Sequence, residues 1–131
     1  MPRKAISNKN VADAKFDPAP FDGPFKAALG RPELKGSWLI FGKSGSGKTT
    51  FALQLAKYLT RFVDKVAFDS LEQGLSLSMQ KAWKRVDMEE AGSKVIFLDK
   101  ESLPELRDRL SKRKSPNVIV IDSVICLVGM R

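Results

Sequence analysis

Apolar residues along this chain alternate between short uninterrupted runs and stretches with helical spacing. The runs predict strands buried on both faces, and the spaced stretches predict amphipathic helices between them. The predicted strands are 37–41, 65–70, 94–98 and 117–124, and the predicted helices are 49–62, 74–86 and 102–114. Strands that alternate with helices indicate an α/β fold, in which a parallel sheet is covered on both faces.

Each predicted helix carries local signals that support it. One face of helix 49–62 collects Phe51, Leu55, Leu59 and Phe62, and one face of helix 74–86 collects Leu75, Met79, Ala82, Trp83 and Val86. In helix 102–114, Ser102 and Glu105 have the spacing of a capping box, and Pro104 falls in the first turn. These signals predict where each helix begins and which side chains it buries.

In the first 24 residues, apolar side chains follow neither the spacing of a helix nor that of a strand. The stretch FDPAPFDGPF places three prolines and a glycine among aspartates and phenylalanines. Residues 1–24 are therefore predicted to form an extended or disordered arm. Residues 25–131 are predicted to form one folded domain.

The composition of the chain excludes several kinds of binding site and several classes of protein. The chain has 131 residues, no histidine and one cysteine, Cys126, which lies in an apolar run and is predicted to be a core residue. An internal disulfide is excluded, and zinc and haem sites lack their usual ligands. No apolar segment is long enough to span a membrane, and no apolar stretch follows the basic N-terminus, so a cytoplasmic location is expected. The net charge of +8 favours polyanionic partners or simply confers solubility.

The residues after the first predicted strand suggest a phosphate-binding loop. Positions 42–49 read GKSGSGKT, which fits G-x-x-x-x-G-K-[ST] between a strand and a helix. A triphosphate needs many inward-pointing backbone N–H groups, so side chains must be absent from the tightest points of the loop. The helix N-terminus adds a positive dipole end, Lys48 adds a full charge and Thr49 adds a hydroxyl suited to Mg²⁺. The predicted nucleotide-binding residues are Gly42, Lys43, Ser44, Gly45, Ser46, Gly47, Lys48, Thr49 and Thr50.

Two further segments place carboxylates beyond the ends of predicted strands. The run VIVIDS ends in Asp122, which could hold the hydration shell of Mg²⁺ together with Thr49. In VAFDSLEQG, Glu72 falls just past the second strand, where a carboxylate can orient the water that attacks a γ-phosphate. Glu72 is the predicted catalytic base, Asp69 is the second choice, and an ordinary surface role for Glu72 stays open.

Together these segments resemble the P-loop NTPases of the RecA-like family, which includes recombinases and hexameric replicative helicases. The loop at 42–49 is similar to a Walker A motif, 118–123 to a Walker B motif, and Glu72 to the catalytic glutamate of that family. The resemblance covers about residues 25–124. It implies a three-layer α/β/α core with a mostly parallel sheet, ATP and Mg²⁺ as cofactors, and catalytic roles for Glu72 and Lys48. It also brings in a homo-oligomer and nucleic acid as candidate partners.

The chain departs from the family after Asp122. In the family a later strand inserts between the loop strand and the Walker B strand, whereas here only seven residues follow IDSV. The core is therefore expected to be incomplete at its C-terminus, with a gap in the sheet. Truncation is the favoured explanation; completion by another chain and closure by the tail are the alternatives. No arginine finger can be assigned, because Arg107, Arg109, Arg113, Lys81, Lys84 and Arg85 fit solvated helix faces.

Three functions are open at this point. The first is a Mg²⁺-dependent RecA-like ATPase linked to DNA recombination, repair or replication. The second is a nucleotide-binding switch or partner module with little hydrolysis, which the missing downstream elements favour. The third is a P-loop kinase, which shares the loop but for which no arginine-rich lid is visible.

Overall fold

The structure is a computed structural model that describes residues 4–34, 36–39, 47–121 and 124–127, with backbone alone for 36–39 and 124–127. It divides into two compact units, Met1–Glu33 and Leu34–Arg131. The first unit contains α1 (Asn8–Asp13) and α2 (Gly23–Leu29). The Ser7 side chain caps α1 by accepting a hydrogen bond from the backbone N of Asn10 at 3.1 Å. The predicted domain boundary at residue 24 remains a prediction.

The second unit is built on a mixed sheet. Its elements are β1 (Gly36–Leu39), α3 (Lys48–Leu59), β2 (Val66–Ser70), α4 (Leu77–Arg85), a 3₁₀ segment (Met88–Lys94), β3 (Val95–Asp99), α5 (Leu103–Leu110), β4 (Val118–Ile121) and β5 (Val124–Leu127). The strand order is β1-β5-β4-β2-β3. Strand β2 pairs in parallel with β3 and β4, whereas β5 pairs antiparallel with both β4 and β1. The α/β class is confirmed, and the parallel part comprises three adjacent strands.

The expected gap in the sheet is wrong. Strand β5 occupies the position between β1 and β4, with Ile121 paired to Val124 and Val118 paired to Leu127. The reason is visible in the sequence, where apolar residues flank the two polar residues at 122 and 123. This pattern permits a two-residue hairpin as well as the single strand predicted over 117–124. Residues 122 and 123 lie outside the described part of the chain.

Side chains of the parallel strands alternate between two packed faces. On one face, Leu106 of α5 packs with the buried residues Ala67, Leu98 and Ile119. On the other, the Trp83 ring of α4 packs edge-on against Phe68 and Phe97, with ring centroids 6.1 and 5.5 Å away. Helix α3 contacts β2 and α4. Helix α5 therefore packs on one face of the parallel strands and α4 on the other, and the predicted three-layer core remains a prediction.

All three helices of the second unit differ from the sequence prediction at their ends. Helix α3 ends at Leu59, so Phe62 lies beyond it. Helix α4 begins at Leu77, after Ser76, whose side chain accepts from the backbone N of Met79 at 3.1 Å. Leu75 therefore lies before the helix, and it is 72% exposed instead of packed on the apolar face. Helix α5 carries the predicted capping box but ends at Leu110, short of residue 114. Cys126 lies in β5, where the backbone alone is described, so its core role remains a prediction.

Candidate functional site

One edge of the sheet collects the residues that the sequence singled out. Strands β2, β3 and β4 are parallel, so Ser70, Asp99 and Ile121 end at the same edge, called here the carboxyl edge. Strand β1 runs in the same direction, because it is antiparallel to β5 and β5 is antiparallel to β4. The chain leaves β1 at this edge and enters α3 at Lys48. Loops at the carboxyl edge are where ligands bind in sheets of this kind.

The start of α3 is the described part of the predicted phosphate-binding loop. Gly47 precedes the helix with φ 86° and ψ 14°, a left-handed conformation that non-glycine residues adopt at a cost of about 1–2 kcal/mol. Its carbonyl accepts from the backbone N of Phe51 at 2.9 Å, which starts the helical hydrogen-bond ladder. Lys48, Thr49 and Thr50 form the half-buried first turn, where a helix offers N–H groups to an anion. The loop predictions for Gly42, Lys43, Ser44, Gly45 and Ser46 lie outside the described residues, as does that for Asp122.

Strand β2 and the turn after it carry two carboxyl groups, of which one is buried and the other is exposed. Asp69 is fully buried on the α5 face of β2, where its Oδ1 accepts from the backbone N of Glu101 at 2.9 Å. Burial raises the pKa of the Asp69 carboxyl above its ordinary value, an effect that the hydrogen bond from Glu101 opposes. Glu72 lies in the turn after β2 and is exposed. Of the two, only Glu72 can meet a solvent water directly, and its role as catalytic base remains a prediction.

The turn that carries Glu72 is fixed at both ends. The backbone N of Gly74 donates to the carbonyl of Ser70 at 3.2 Å, and the backbone N of Leu75 donates to Asp99 Oδ1 at 3.0 Å. Gly74 has φ 62°, and a Cβ atom there would lie 2.6 Å from Asp99 Oδ1. Asp99 and Gly74 were not predicted from the sequence. The available signal was an acidic residue at the end of an apolar strand, the same signal that singled out Asp122.

Unpartnered polar atoms occur at the end of β2 and in the turn that follows it. Among the described residues, the buried side-chain N and O atoms without a hydrogen-bond partner are Asp69 Oδ2, Ser70 Oγ and Gln73 Oε1. Buried polar atoms are nearly always paired, so unpaired ones call for a strained structure or a missing ligand. Ser70 points to the sheet face opposite Asp69, the face on which α4 lies. Ser70 and Gln73 were not predicted from the sequence, since residues of both types are common in turns.

The basic helix residues separate into two groups. Lys81, Lys84 and Arg85 on α4 are exposed, as predicted. Arg109 is not simply solvated, because its Nε and one terminal nitrogen donate to the two carboxylate oxygens of Glu101 at 3.0 and 2.6 Å. Hydrogen bonding to the Glu101 carboxylate raises the pKa of the Arg109 guanidinium above its ordinary value. Arg109 therefore braces the loop whose backbone N holds Asp69.

No group of three or more acidic or cysteine side chains is placed to hold a metal ion in the described ranges. No described helix has both the length and the apolar character needed to cross a membrane.

Comparisons with known proteins give one informative similarity. No protein-family model matches the chain, and no solved structure matches it significantly. The chain is 30% identical over 95 residues to the DNA repair and recombination protein RadB of Methanosphaera stadtmanae, covering 67% of this chain and 41% of the relative. The chain thus spans about two fifths of the length of this curated relative. The similarity lends distant support to the resemblance to the RecA-like family.

Proposed function

We propose that this chain is a P-loop nucleotide-binding protein of RecA-like type that hydrolyses ATP with Mg²⁺ in DNA recombination, repair or replication. The observation that carries the proposal is the G-x-x-x-x-G-K-T sequence ending in a left-handed Gly47 at the start of α3. That helix begins at the carboxyl edge, beyond β1. The similarity to RadB, a protein named for DNA repair and recombination, supports the choice of process.

The described residues fit a nucleotide at this edge. The unpartnered Ser70 Oγ and Gln73 Oε1 are free to bond a ligand or its water. Lys48 would hold the terminal phosphates by charge, the N–H groups of the first turn of α3 would bind phosphate oxygens, and Thr49 with Asp122 would hold Mg²⁺. When bound, Mg²⁺ neutralises charge that develops on the phosphate oxygens.

Glu72 would orient the attacking water in this proposal. Its carboxylate is exposed, and the turn that carries it is held by the hydrogen bonds of Gly74 and Leu75. A fixed turn limits the positions that the carboxylate can reach, which favours a single geometry for the water. Asp69 is then a positioning residue that fixes the loop at Glu101.

Nucleotide binding tests the first half of the proposal. Isothermal titration calorimetry with Mg²⁺–ATP should show binding by the wild type and a loss of at least about tenfold in affinity for Lys48→Ala, since a charge-assisted phosphate contact is removed. Lys81→Ala is the matched control, because Lys81 is an exposed lysine on another helix. Absence of heat with both Mg²⁺–ATP and Mg²⁺–GTP would refute the proposal.

Turnover tests the second half. Phosphate release should fall to background in Glu72→Gln while nucleotide affinity is kept, because the amide cannot accept the proton of the water. If the wild type binds nucleotide but turnover stays at background with and without DNA, the chain is a nucleotide-binding switch or partner module instead. Transfer of phosphate to a nucleoside or sugar acceptor would identify a P-loop kinase.

A further inference from the structure

The edge of the sheet opposite the carboxyl edge is called here the amino edge. The three connections that lead into β2, β3 and β4 meet there. Residue Asn117 joins two of them: its Oδ1 accepts from the backbone N of Asp64 and of Lys65 at 3.1 and 3.0 Å, and its own backbone N donates to the carbonyl of Lys65 at 2.9 Å. The Nζ of Lys94 donates to the carbonyl of Thr60 at 3.3 Å, which ties in the third. Hydrogen bonds between side chains and backbone therefore hold the three connections together at the amino edge.

Basic side chains dominate this surface. Lys94, Lys65 and Asn117 directly precede the paired residues Val95, Val66 and Val118, so they stand in a row on neighbouring strands about 4.8 Å apart. The turn after α5 adds three consecutive exposed cations. We call these five residues the basic edge: Lys65, Lys94, Lys112, Arg113 and Lys114.

Little of the positive charge of the basic edge is neutralised. Lys112 pairs with Asp108 at 3.4 Å, but both side chains are about 70% exposed, so the pair is weak and screened. The other four cations form no ion pair within the part of the chain that the structure describes. The acidic residues in these connections are Asp64, Asp87, Glu89 and Glu90, against six basic residues, and Glu90 lies 3.6 Å from Lys57 of α3. The surface thus carries an excess of positive charge.

The cationic turn also has a fixed shape. Lys114 has φ 58°, a conformation that lysine rarely adopts. Its carbonyl accepts from Lys65 Nζ at 3.1 Å, which links the turn after α5 to the start of β2. Non-glycine residues in this conformation are held by their surroundings and occur often at functional positions. The bond places the exposed cations of residues 112–114 beside those that begin the strands.

We propose that the basic edge binds the phosphate backbone of nucleic acid. Clustered lysine and arginine on a fixed surface are the usual means of holding such a backbone without reading its sequence. A membrane surface fits less well, because peripheral binding also needs apolar side chains that can insert. Within the described residues of the second unit, the exposed large apolar residues are Leu71, Leu75, Leu77 and Leu103, which follow β2 or begin α4 and α5 and do not lie in the connections of the amino edge. The proposal does not depend on nucleotide binding, which is placed at the opposite edge.

The test compares two charge-reversal variants that change the net charge equally. Arg113→Glu with Lys114→Glu alters the basic edge, and Lys81→Glu with Lys84→Glu alters α4, where both residues are exposed. Helix α4 packs on the sheet face opposite the face that carries α5, the helix that leads into residues 112–114. The probe is a fluorescein-labelled single-stranded oligonucleotide of about 20 residues, measured by anisotropy without ATP. We expect the basic-edge variant to lose at least about tenfold in affinity and to reduce the salt-dependence slope by about 1.4. The α4 variant should lose less than about threefold, because its cations act only through long-range attraction.

Each result decides the proposal. Absence of wild-type binding, equal losses in the two variants, or full affinity in the basic-edge variant would overturn it. So would equal competition by polyglutamate or by vesicles containing phosphatidylserine, which would indicate a general anion-binding surface. Far-ultraviolet circular dichroism of both variants shows whether they fold. Lys114→Gly, which relieves the unusual φ, gives a second variant in which lost affinity cannot come from lost structure.

Discussion

Replacing Gly74 by alanine tests whether the turn that carries Glu72 is held as the structure indicates. The new Cβ would lie 2.6 Å from Asp99 Oδ1 and 2.8 Å from Lys100 Cε, and φ 62° would be unfavourable for alanine. The left-handed conformation costs about 1–2 kcal/mol. Displacing Asp99 also breaks its bond to the backbone N of Leu75, which is worth about 0.5–1.5 kcal/mol. Since the Lys100 side chain can move at little cost, the expected loss of unfolding free energy is about 2–3 kcal/mol.

A double-mutant cycle with Asp99→Ala separates the two contributions. Asp99→Ala alone should cost about 0.5–1.5 kcal/mol, since it removes the same hydrogen bond. With Asp99 already removed, Gly74→Ala should cost only the conformational part, so the double variant should be less destabilised than the sum by about 0.5–1.5 kcal/mol. Urea denaturation measures all four proteins. Additivity within about 0.3 kcal/mol would refute the contact between Gly74 and Asp99, and a cost below about 0.5 kcal/mol for Gly74→Ala would refute the geometry of the turn.

Two further predictions concern Asp69 and Lys114. Because burial raises the pKa of Asp69, the folded state binds more protons than the unfolded state above about pH 4, so this group lowers stability as pH rises through its native pKa. The stability of wild type relative to Asp69→Asn, measured by urea denaturation, should therefore fall as the pH rises from about 4 through the native pKa, and a constant difference would contradict this. Lys114→Gly should raise the unfolding free energy by up to about 1 kcal/mol, because φ 58° suits glycine, while weakening oligonucleotide binding. A thermal or urea transition at lower stability would show that the turn is not strained.

The sequence predicted the parts of the fold that depend on local pattern. Apolar runs located β1 to β4 within a few residues, and the Ser102–Glu105 capping box appeared where its spacing placed it. The length of α5 was overestimated, because a basic stretch such as 111–114 suits both a helix end and a turn. There the turn forms, and Lys114 takes a left-handed conformation that its residue type does not indicate.

The candidate site was predicted less completely, because much of it depends on contacts between distant segments. The glycine loop and Glu72 follow from local spacing, but the bond between Asp99 and the backbone N of Leu75 joins residues 24 positions apart. The pairing of Arg109 with Glu101 likewise requires the α5 loop to fold back beside β2. The sequence around β5 fits either one long strand or a hairpin. Only the pairing of β5 between β1 and β4 decides in favour of the hairpin.

The two proposed sites lie at opposite ends of α3, and this separation allows each to be tested without the other. Helix α3 has 12 residues and is therefore about 18 Å long, roughly twice the Debye length at physiological salt. Lys48 begins the helix at the carboxyl edge, while Thr60, just past its end, accepts the bond from Lys94 at the amino edge. A charge change at one end should therefore leave direct binding at the other nearly unaltered. Mutual influence between ATP and nucleic acid, if measured, would have to pass through the packed elements that join the two edges, α3 and strands β2 to β4, rather than through space.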